Sequence, residues 1–170
     1  WVASLIVPNN FLRFMFIGMC LVSGVLGMYF FIKETILKDK AKILAQSFAF
    51  LGALFYLFNL GTLQQFYVPF EMFTVQYATL PWLFLAATKY ISTGSSTHLK
   101  FFALVTLLST PMAYAATLWY AFFLTFSLYI LAISKSFKKF LIILSITLVI
   151  NSFWLLPNLY FLLKLRDTMQ

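Results

Sequence analysis

The chain has 170 residues, of which 63% are hydrophobic and 9% are charged, and its mean hydropathy is +0.95. This composition excludes a soluble globular domain, a disordered chain and a secreted disulfide scaffold. The net charge of +8 is carried by short basic clusters between the apolar runs, which is typical of membrane topology. Because the aromatic residues lie inside those runs, we expect no nucleic-acid partner.

The first two apolar runs each predict a membrane span with a face for close helix packing. The first span covers about 11–32 and carries a patch of small residues, Ser23, Gly24 and Gly27. The second span covers about 43–60, where Ala45, Ala49 and Ala53 recur every four residues and make one face nearly flat. A charged loop with a net basic balance separates the two spans.

Polar residues then gather between Gly61 and Thr79, and this segment predicts a loop or an interfacial helix. A short third span follows at about 77–91, with Pro81 near its beginning. It leads into a hydrophilic turn at 92–98, which ends at His98.

The apolar run 99–134 is too long for a single straight crossing. As one helix it would reach about 54 Å, against a hydrocarbon core of about 30 Å. We therefore expect a break at Thr110–Pro111, which divides the run into a short arm at 99–109 and a full span at 112–133. A last span covers about 140–163 and contains Asn151 and Pro157.

This hairpin arrangement sorts the basic residues onto two faces. Nine lysines fall on one face, which the positive-inside rule assigns to the cytoplasm; they are Lys33, Lys38, Lys40, Lys42, Lys89, Lys100, Lys135, Lys138 and Lys139. Only Arg13, Lys164 and Arg166 fall on the other face. The segment around Glu71 is therefore expected on the extracytoplasmic side.

The predicted fold class is all-α: a polytopic transmembrane bundle of about six helices, including short or broken ones, in one unit over 1–170. The chain starts at Trp1 and ends without a recognisable tail, so we expect it to be a fragment whose partner is the remainder of a longer chain. The other expected partners are membrane lipids.

Candidate binding residues cluster near the predicted outer surface. Glu71 stands among apolar and aromatic neighbours, where it would raise its pKa and accept a proton, hydrogen-bond sugar hydroxyls, or simply mark the water boundary of a helix. Gln64 and Gln65, with Asn59 nearby, suit carbohydrate hydroxyls but also serve as helix caps. Tyr67 and Tyr77 are candidate stacking platforms.

Basic residues at the end of the last span form a second candidate group. Lys164 and Arg166 would hold a lipid phosphate, or snorkel to headgroups without selectivity. His98 is interpreted as a solvated loop residue, and Asn151 as a structural residue that bonds another helix or the carbonyl freed by Pro157. No His, Cys or carboxylate spacing predicts a metal site, and no cofactor is indicated.

Three stretches carry a resemblance to a known family: 51–59 closing one span, Pro69-Phe70-Glu71 after it, and Leu80-Pro81-Trp82-Leu83 opening the next. Together with Asn151-Ser152-Phe153-Trp154-Leu155-Leu156-Pro157, they resemble the GT-C superfamily of polytopic membrane glycosyltransferases and their uncharacterised prokaryotic relatives. The short arm before Pro111 is also similar to paired short helices in that family.

The resemblance implies an inverting sugar transfer from a polyprenyl-phosphate donor on the extracytoplasmic side, with a metal sometimes required, in a prokaryotic plasma membrane. It also implies a role in building cell-envelope glycans or glycosylating protein. The family's acidic catalytic motif matches no residue here, so the catalytic residues remain unassigned. The alternative is a non-catalytic membrane scaffold or a lipid or polysaccharide carrier.

Overall fold

The computed structural model describes residues 8–67 and 70–168, with the backbone only at Asn9, Gln65, Leu162 and 165–168. Regular structure in this part of the chain is entirely helical, which confirms the all-α fold class. The α-helices are α1 Asn9–Phe31, α2 Lys42–Phe58, α3 Leu60–Tyr67, α4 Glu71–Thr93, α5 Ser96–Leu108, α6 Ala116–Ile133 and α7 Phe137–Thr168. A π-helical turn, Ile32–Ile36, extends α1, and a 3-10 turn, Thr110–Tyr114, separates α5 from α6.

α4 is the central helix of the bundle. It packs against α1, α3, α5, α6 and α7, and against the 3-10 turn. Ten of its residues are buried, among them Leu83 and Ala87. The main core lies between α4, α5, α6 and α7, where the ring of Phe126 stacks on that of Phe102 at 5.9 Å between centroids.

Both predicted packing faces lie in helix interfaces. Gly24 and Gly27 are buried where α1 meets α4, because the rings of Tyr77 and Trp82 occupy the space a side chain would need. The Trp82 indole N–H also donates to the backbone oxygen of Ser23 at 3.0 Å. On α2, all three stripe alanines are buried, Ala45, Ala49 and Ala53.

The helix connections that carry most of the lysines meet at one end of the bundle, called here the lysine-rich end. Lys89 of α4 forms an ion pair with Glu34 in the π-helical turn. Lys139 of α7 donates through Nζ to the backbone oxygen of Ile91 at 2.7 Å. These contacts join the α1–α2, α4–α5 and α6–α7 connections at this end.

The apolar run 99–134 is broken at the expected place. α5 ends at Leu108, Pro111 stands in the first turn of the 3-10 helix, and α6 begins at Ala116. The polar turn before it is shorter than expected, because α5 already begins at Ser96. The prediction of His98 as a loop residue is therefore wrong: it lies in the first turn of α5.

The segment Gly61–Thr79 is mostly helix rather than loop. α3 accounts for its first part, and α4 begins at Glu71, well before the predicted third span. Polar residues in this helix suggested exposure to water. In the fold Thr74 is buried, and Thr74 and Thr79 bond carbonyls of their own turns, whereas Gln64, Tyr67 and Glu71 are exposed.

Pro81 lies inside α4 and not at its beginning. A proline has no N–H, so the carbonyl four residues earlier, that of Tyr77, loses its helical hydrogen bond. The Tyr56 hydroxyl of α2 donates to this carbonyl at 2.9 Å, and the two tyrosine rings stack at 4.5 Å. A neighbouring helix thus replaces the bond that proline removes.

Three of the described helical stretches are long and apolar enough to cross a membrane: Asn10–Ile36, Ala116–Ile133 and Phe137–Phe161. α2 and α5 are apolar but shorter. At 1.5 Å per residue, the 13 residues of α5 reach only about 20 Å. The 3-10 turn that follows α5 therefore lies short of the end of the bundle that α4 reaches.

Candidate functional site

The predicted outer site is built on α3 and the first turn of α4, at the end of the bundle opposite the lysines. Asn59 positions α3: its Oδ1 accepts from the backbone N–H of Thr62 at 3.0 Å, and its Nδ2 donates to the Tyr56 carbonyl at 2.7 Å. This is the capping role that an amide before a helix commonly has. The Asn59 side chain thus joins the start of α3 to the end of α2.

α3 presents two of the predicted binding residues to its surroundings. Gln64 is exposed, and Tyr67 is 89% exposed. The backbone of Gln65 lies in the same helix, and its side chain lies outside the described residues. Gln64 and Tyr67 are accessible to a ligand at this end.

Glu71, the first residue of α4, forms an ion pair with Arg13 of α1, with Nε and Oε1 2.6 Å apart. Both side chains are about half exposed. A hydrogen bond from its own backbone N–H is the largest cause that holds the pKa of the Glu71 carboxyl below its usual range; burial opposes it, and Arg13 lowers the pKa further. This favours the ionised alternative over a proton acceptor with a raised pKa.

Tyr77 is not a stacking platform for a ligand, as the sequence suggested, because its side chain is only 5% exposed. Its ring stacks on Tyr56 and meets the edge of Phe66 of α3. Its helical phase turns it toward the neighbouring helices, so it serves as a packing residue.

Lys164 and Arg166 lie near the end of α7. Lys164 is exposed, and the side chain of Arg166 lies outside the described residues. α3 packs against α2 and α4, whereas α7 packs against α4, α5, α6 and the 3-10 turn. The helix packing described here does not unite the two predicted groups in one site.

Asn151 is buried as expected, but its partners differ from both predicted alternatives. Its Nδ2 donates to the Thr147 carbonyl at 2.8 Å, and its Oδ1 accepts from the Trp154 indole N–H at 3.0 Å. Both bonds lie within α7. The residue therefore fixes Trp154, whose ring meets the edge of Trp119 of α6.

A polar groove of about 500 Å³ opens at the lysine-rich end, between the end of α1, the end of α4 and the start of α5. Its charged walls are Lys33, Lys38 and Lys89 against Glu34, and His98 lines it from α5. Lys33 lies over the ring of Tyr29, 5.4 Å from its centroid. Thr88, Ser92 and Thr93 add hydroxyl groups from α4.

An apolar slot of about 320 Å³ lies beside the polar groove. It is lined by Phe30 of α1, by Trp82, Leu85 and Ala86 of α4, and by Phe101 of α5. The groove and the slot share Glu34, Lys89 and His98. A polar opening and an apolar slot are thus adjacent along the same three helices.

The groove has no single signature in the sequence, because its residues come from three separate segments. One signal was available: Lys89, Ser92 and Thr93 follow an apolar helix at spacings of three and four, which places them on one face. The π-helical turn was not predictable from composition, and it is this turn that brings Lys33 and Glu34 to α4. Single π-helical turns are frequently found at functional sites.

No protein-family model, no curated protein sequence and no solved structure matches this chain. Within the described residues, no three His, Cys, Asp or Glu side chains are close enough to hold a metal ion.

Proposed function

We propose that the chain is the membrane-embedded part of a GT-C-like glycosyltransferase that uses a polyprenyl-phosphate-linked sugar on the extracytoplasmic side. In this proposal the helices cross a prokaryotic plasma membrane with the lysine-rich end in the cytoplasm. The chain then contributes to building cell-envelope glycans or to glycosylating protein.

The observation that carries the proposal is that the lysines and the candidate binding residues lie at opposite ends of the bundle. The lysine-bearing connections meet at one end, while α3 and the start of α4 carry the exposed amide, tyrosine and acid at the other. Under the positive-inside rule, the second end faces the outside, where polyprenyl-linked sugars are used. The break at Pro111 also agrees with the order of features in the resemblance, whereas Pro81 lies inside α4 and does not open a span as the resemblance implies.

In this function the binding site for the acceptor or the lipid-linked sugar, at the end opposite the lysines, is bordered by Gln64, Gln65, Tyr67 and Glu71. Amides and an ionised acid hydrogen-bond sugar hydroxyls, and an exposed tyrosine ring stacks on a sugar face. Lys164 and Arg166 would contact the donor phosphate. The metal that the resemblance implies for some members has no ligand set within the described residues, so none of these roles involves one.

The proposal is tested by following labelled sugar from a polyprenyl-phosphate donor in membranes that contain or lack the full-length protein. We expect transfer only when the protein is present. Glu71→Gln should lower transfer about tenfold or more if the acid contacts the sugar, because a hydrogen bond to a charged group is lost. The matched variant Arg13→Gln keeps the acid and should retain most activity, whereas equal losses would contradict a binding role for Glu71.

The second candidate function is a non-catalytic membrane scaffold or a lipid or polysaccharide carrier. The pairing of Glu71 with Arg13 favours it, because an acid held by an arginine serves to attach α4 to α1. The gene upstream of Trp1 discriminates between the two. An outer loop with paired acids supports the transferase, and a gene without such a loop supports the second candidate.

A further inference from the structure

We propose that the polar groove at the lysine-rich end, together with the apolar slot beside it, binds one anionic phospholipid. Its phosphate would lie at Lys33 and Lys38, and one acyl chain would lie against Trp82 and Phe101. This inference depends on the membrane placement proposed above but not on sugar transfer, because the groove is at the opposite end from the predicted sugar site.

The charge of the groove fits an anion. Three lysines face a single glutamate, and that glutamate is already paired with Lys89. Two positive charges, on Lys33 and Lys38, are therefore not balanced within the lining. Thr88, Ser92 and Thr93 also line the groove, but their hydroxyl groups already bond Tyr129 and the Lys89 carbonyl. The donors for phosphate oxygens are therefore the ammonium groups of Lys33 and Lys38.

The first turn of α5 lies beside the groove. No side chain caps this helix N-terminus, and His98 of its first turn lines the groove. The N-terminal N–H groups of a helix favour a negatively charged group. α5 contributes His98 to the lining of the groove, and its N-terminus lies close to the anion site.

The shape of the site favours a lipid over a free anion. Lys89 lies four residues before the end of α4, and Trp82 lies eleven residues before it. At 1.5 Å per residue, the site runs from about 6 Å to about 16 Å below the helix end, from headgroup level to acyl-chain level. Basic pockets between membrane helices on the cytoplasmic side recognise anionic lipid headgroups in the same way.

The direct test is native mass spectrometry of the purified protein in neutral detergent, titrated with phosphatidylglycerol. We expect one saturable high-affinity lipid. Each lysine beside an anionic lipid contributes about fivefold, so Lys33→Gln/Lys38→Gln should weaken binding about 25-fold. The conservative double variant Lys33→Arg/Lys38→Arg should keep the wild-type affinity for the lipid.

The matched control is Lys135→Gln/Lys138→Gln, which removes the same charge from two exposed lysines outside the groove lining, Lys135 in the α6–α7 connection and Lys138 in the first turn of α7. This pair should change binding less than twofold, and equal losses in the two pairs would overturn the proposal in favour of general surface charge. Equal binding of phosphatidylcholine would overturn the requirement for an anion. Inorganic phosphate that competes as well as the lipid would overturn the acyl-chain contact.

A failure of lipid binding leaves the sugar-transfer assay unaffected, since that assay depends on the other end. Failure of the transfer assay with intact lipid binding would refute only the enzyme proposal. The two proposals are therefore separable by these measurements.

Discussion

At the scale of single residues, the hydroxyl of Tyr56 has a defined structural task. It satisfies the Tyr77 carbonyl that Pro81 leaves without a helical donor. A buried acceptor without a partner costs about 1 to 3 kcal/mol, so this one hydroxyl helps keep α4 continuous through its proline.

A double-mutant cycle tests this task. Tyr56→Phe keeps the stacked ring but removes the donor, and we expect it to lower the free energy of unfolding by about 1 kcal/mol or more. In a Pro81→Ala background, residue 81 supplies its own N–H, so the same substitution should cost less than half as much. Tyr160→Phe, at a tyrosine that is 62% exposed, is the control and should be nearly neutral. Equal costs of Tyr56→Phe in both backgrounds, measured by denaturation in detergent, would contradict the assignment.

The ion pair of Glu71 predicts a pH dependence of stability. Because the folded-state pKa of Glu71 is lowered, its contribution is full above the ordinary value of 4.5 and is lost as the pH falls through the folded value. Both partners are about half exposed, so we expect less than about 1 kcal/mol. The melting temperatures of the wild type and Glu71→Gln should therefore converge between pH 6 and pH 3. A difference between the two melting temperatures that stays constant from pH 6 to pH 3 would contradict a stabilising role of the Glu71–Arg13 ion pair.

The exposure of some site residues was predicted correctly from the sequence and that of others was not, because exposure depends on how the helices pack. Tyr67 was expected at the surface and is exposed there, because it ends a short helix with few neighbours. Tyr77 and His98 were misjudged, since their exposure depends on where a helix begins and which face meets another helix. The partner of Glu71 is 58 residues away in the chain, and such a contact has no local signal.

At the scale of helices, the packing face of α1 was predictable from small residues at helical spacing, but its partner α4 was not. A Cβ at Gly27 would lie 2.7 Å from Nε1 of Trp82, whereas a Cβ at Gly18 on the same helix meets nothing within 4 Å. The central position of α4 was not predictable. Its polar residues suggested a loop or an interfacial helix, because composition does not distinguish a helix covered by other helices from a segment in water.

The two glycines provide a matched pair of substitutions. Gly27→Ala should destabilise the bundle by about 1 to 3 kcal/mol, because Trp82 must move and its bond to Ser23 is strained or lost. Gly18→Ala should be neutral or stabilise by up to about 1 kcal/mol through helix propensity. The free energy of unfolding in detergent measures both, and a neutral Gly27→Ala would contradict the close contact of α1 with α4.

At the scale of the whole molecule, the fold arranges seven α-helices of the described chain so that three connections meet at the lysine-rich end. The break at Pro111 makes this possible, because one straight helix would send the α6–α7 connection to the opposite end. Helix lengths and lysine positions were enough to predict this arrangement. The groove between the connections required the three-dimensional packing.

The orientation of this bundle in a membrane is the central claim, and cysteine accessibility in intact cells tests it most directly. In a Cys20→Ala background, single cysteines replace Tyr67 on α3 and Ser96 at the start of α5, both exposed. An impermeant thiol reagent should label Tyr67→Cys in intact cells, and should label Ser96→Cys only after the membrane is opened. Labelling of Ser96→Cys in intact cells, with Tyr67→Cys protected, would reverse the orientation and contradict the account.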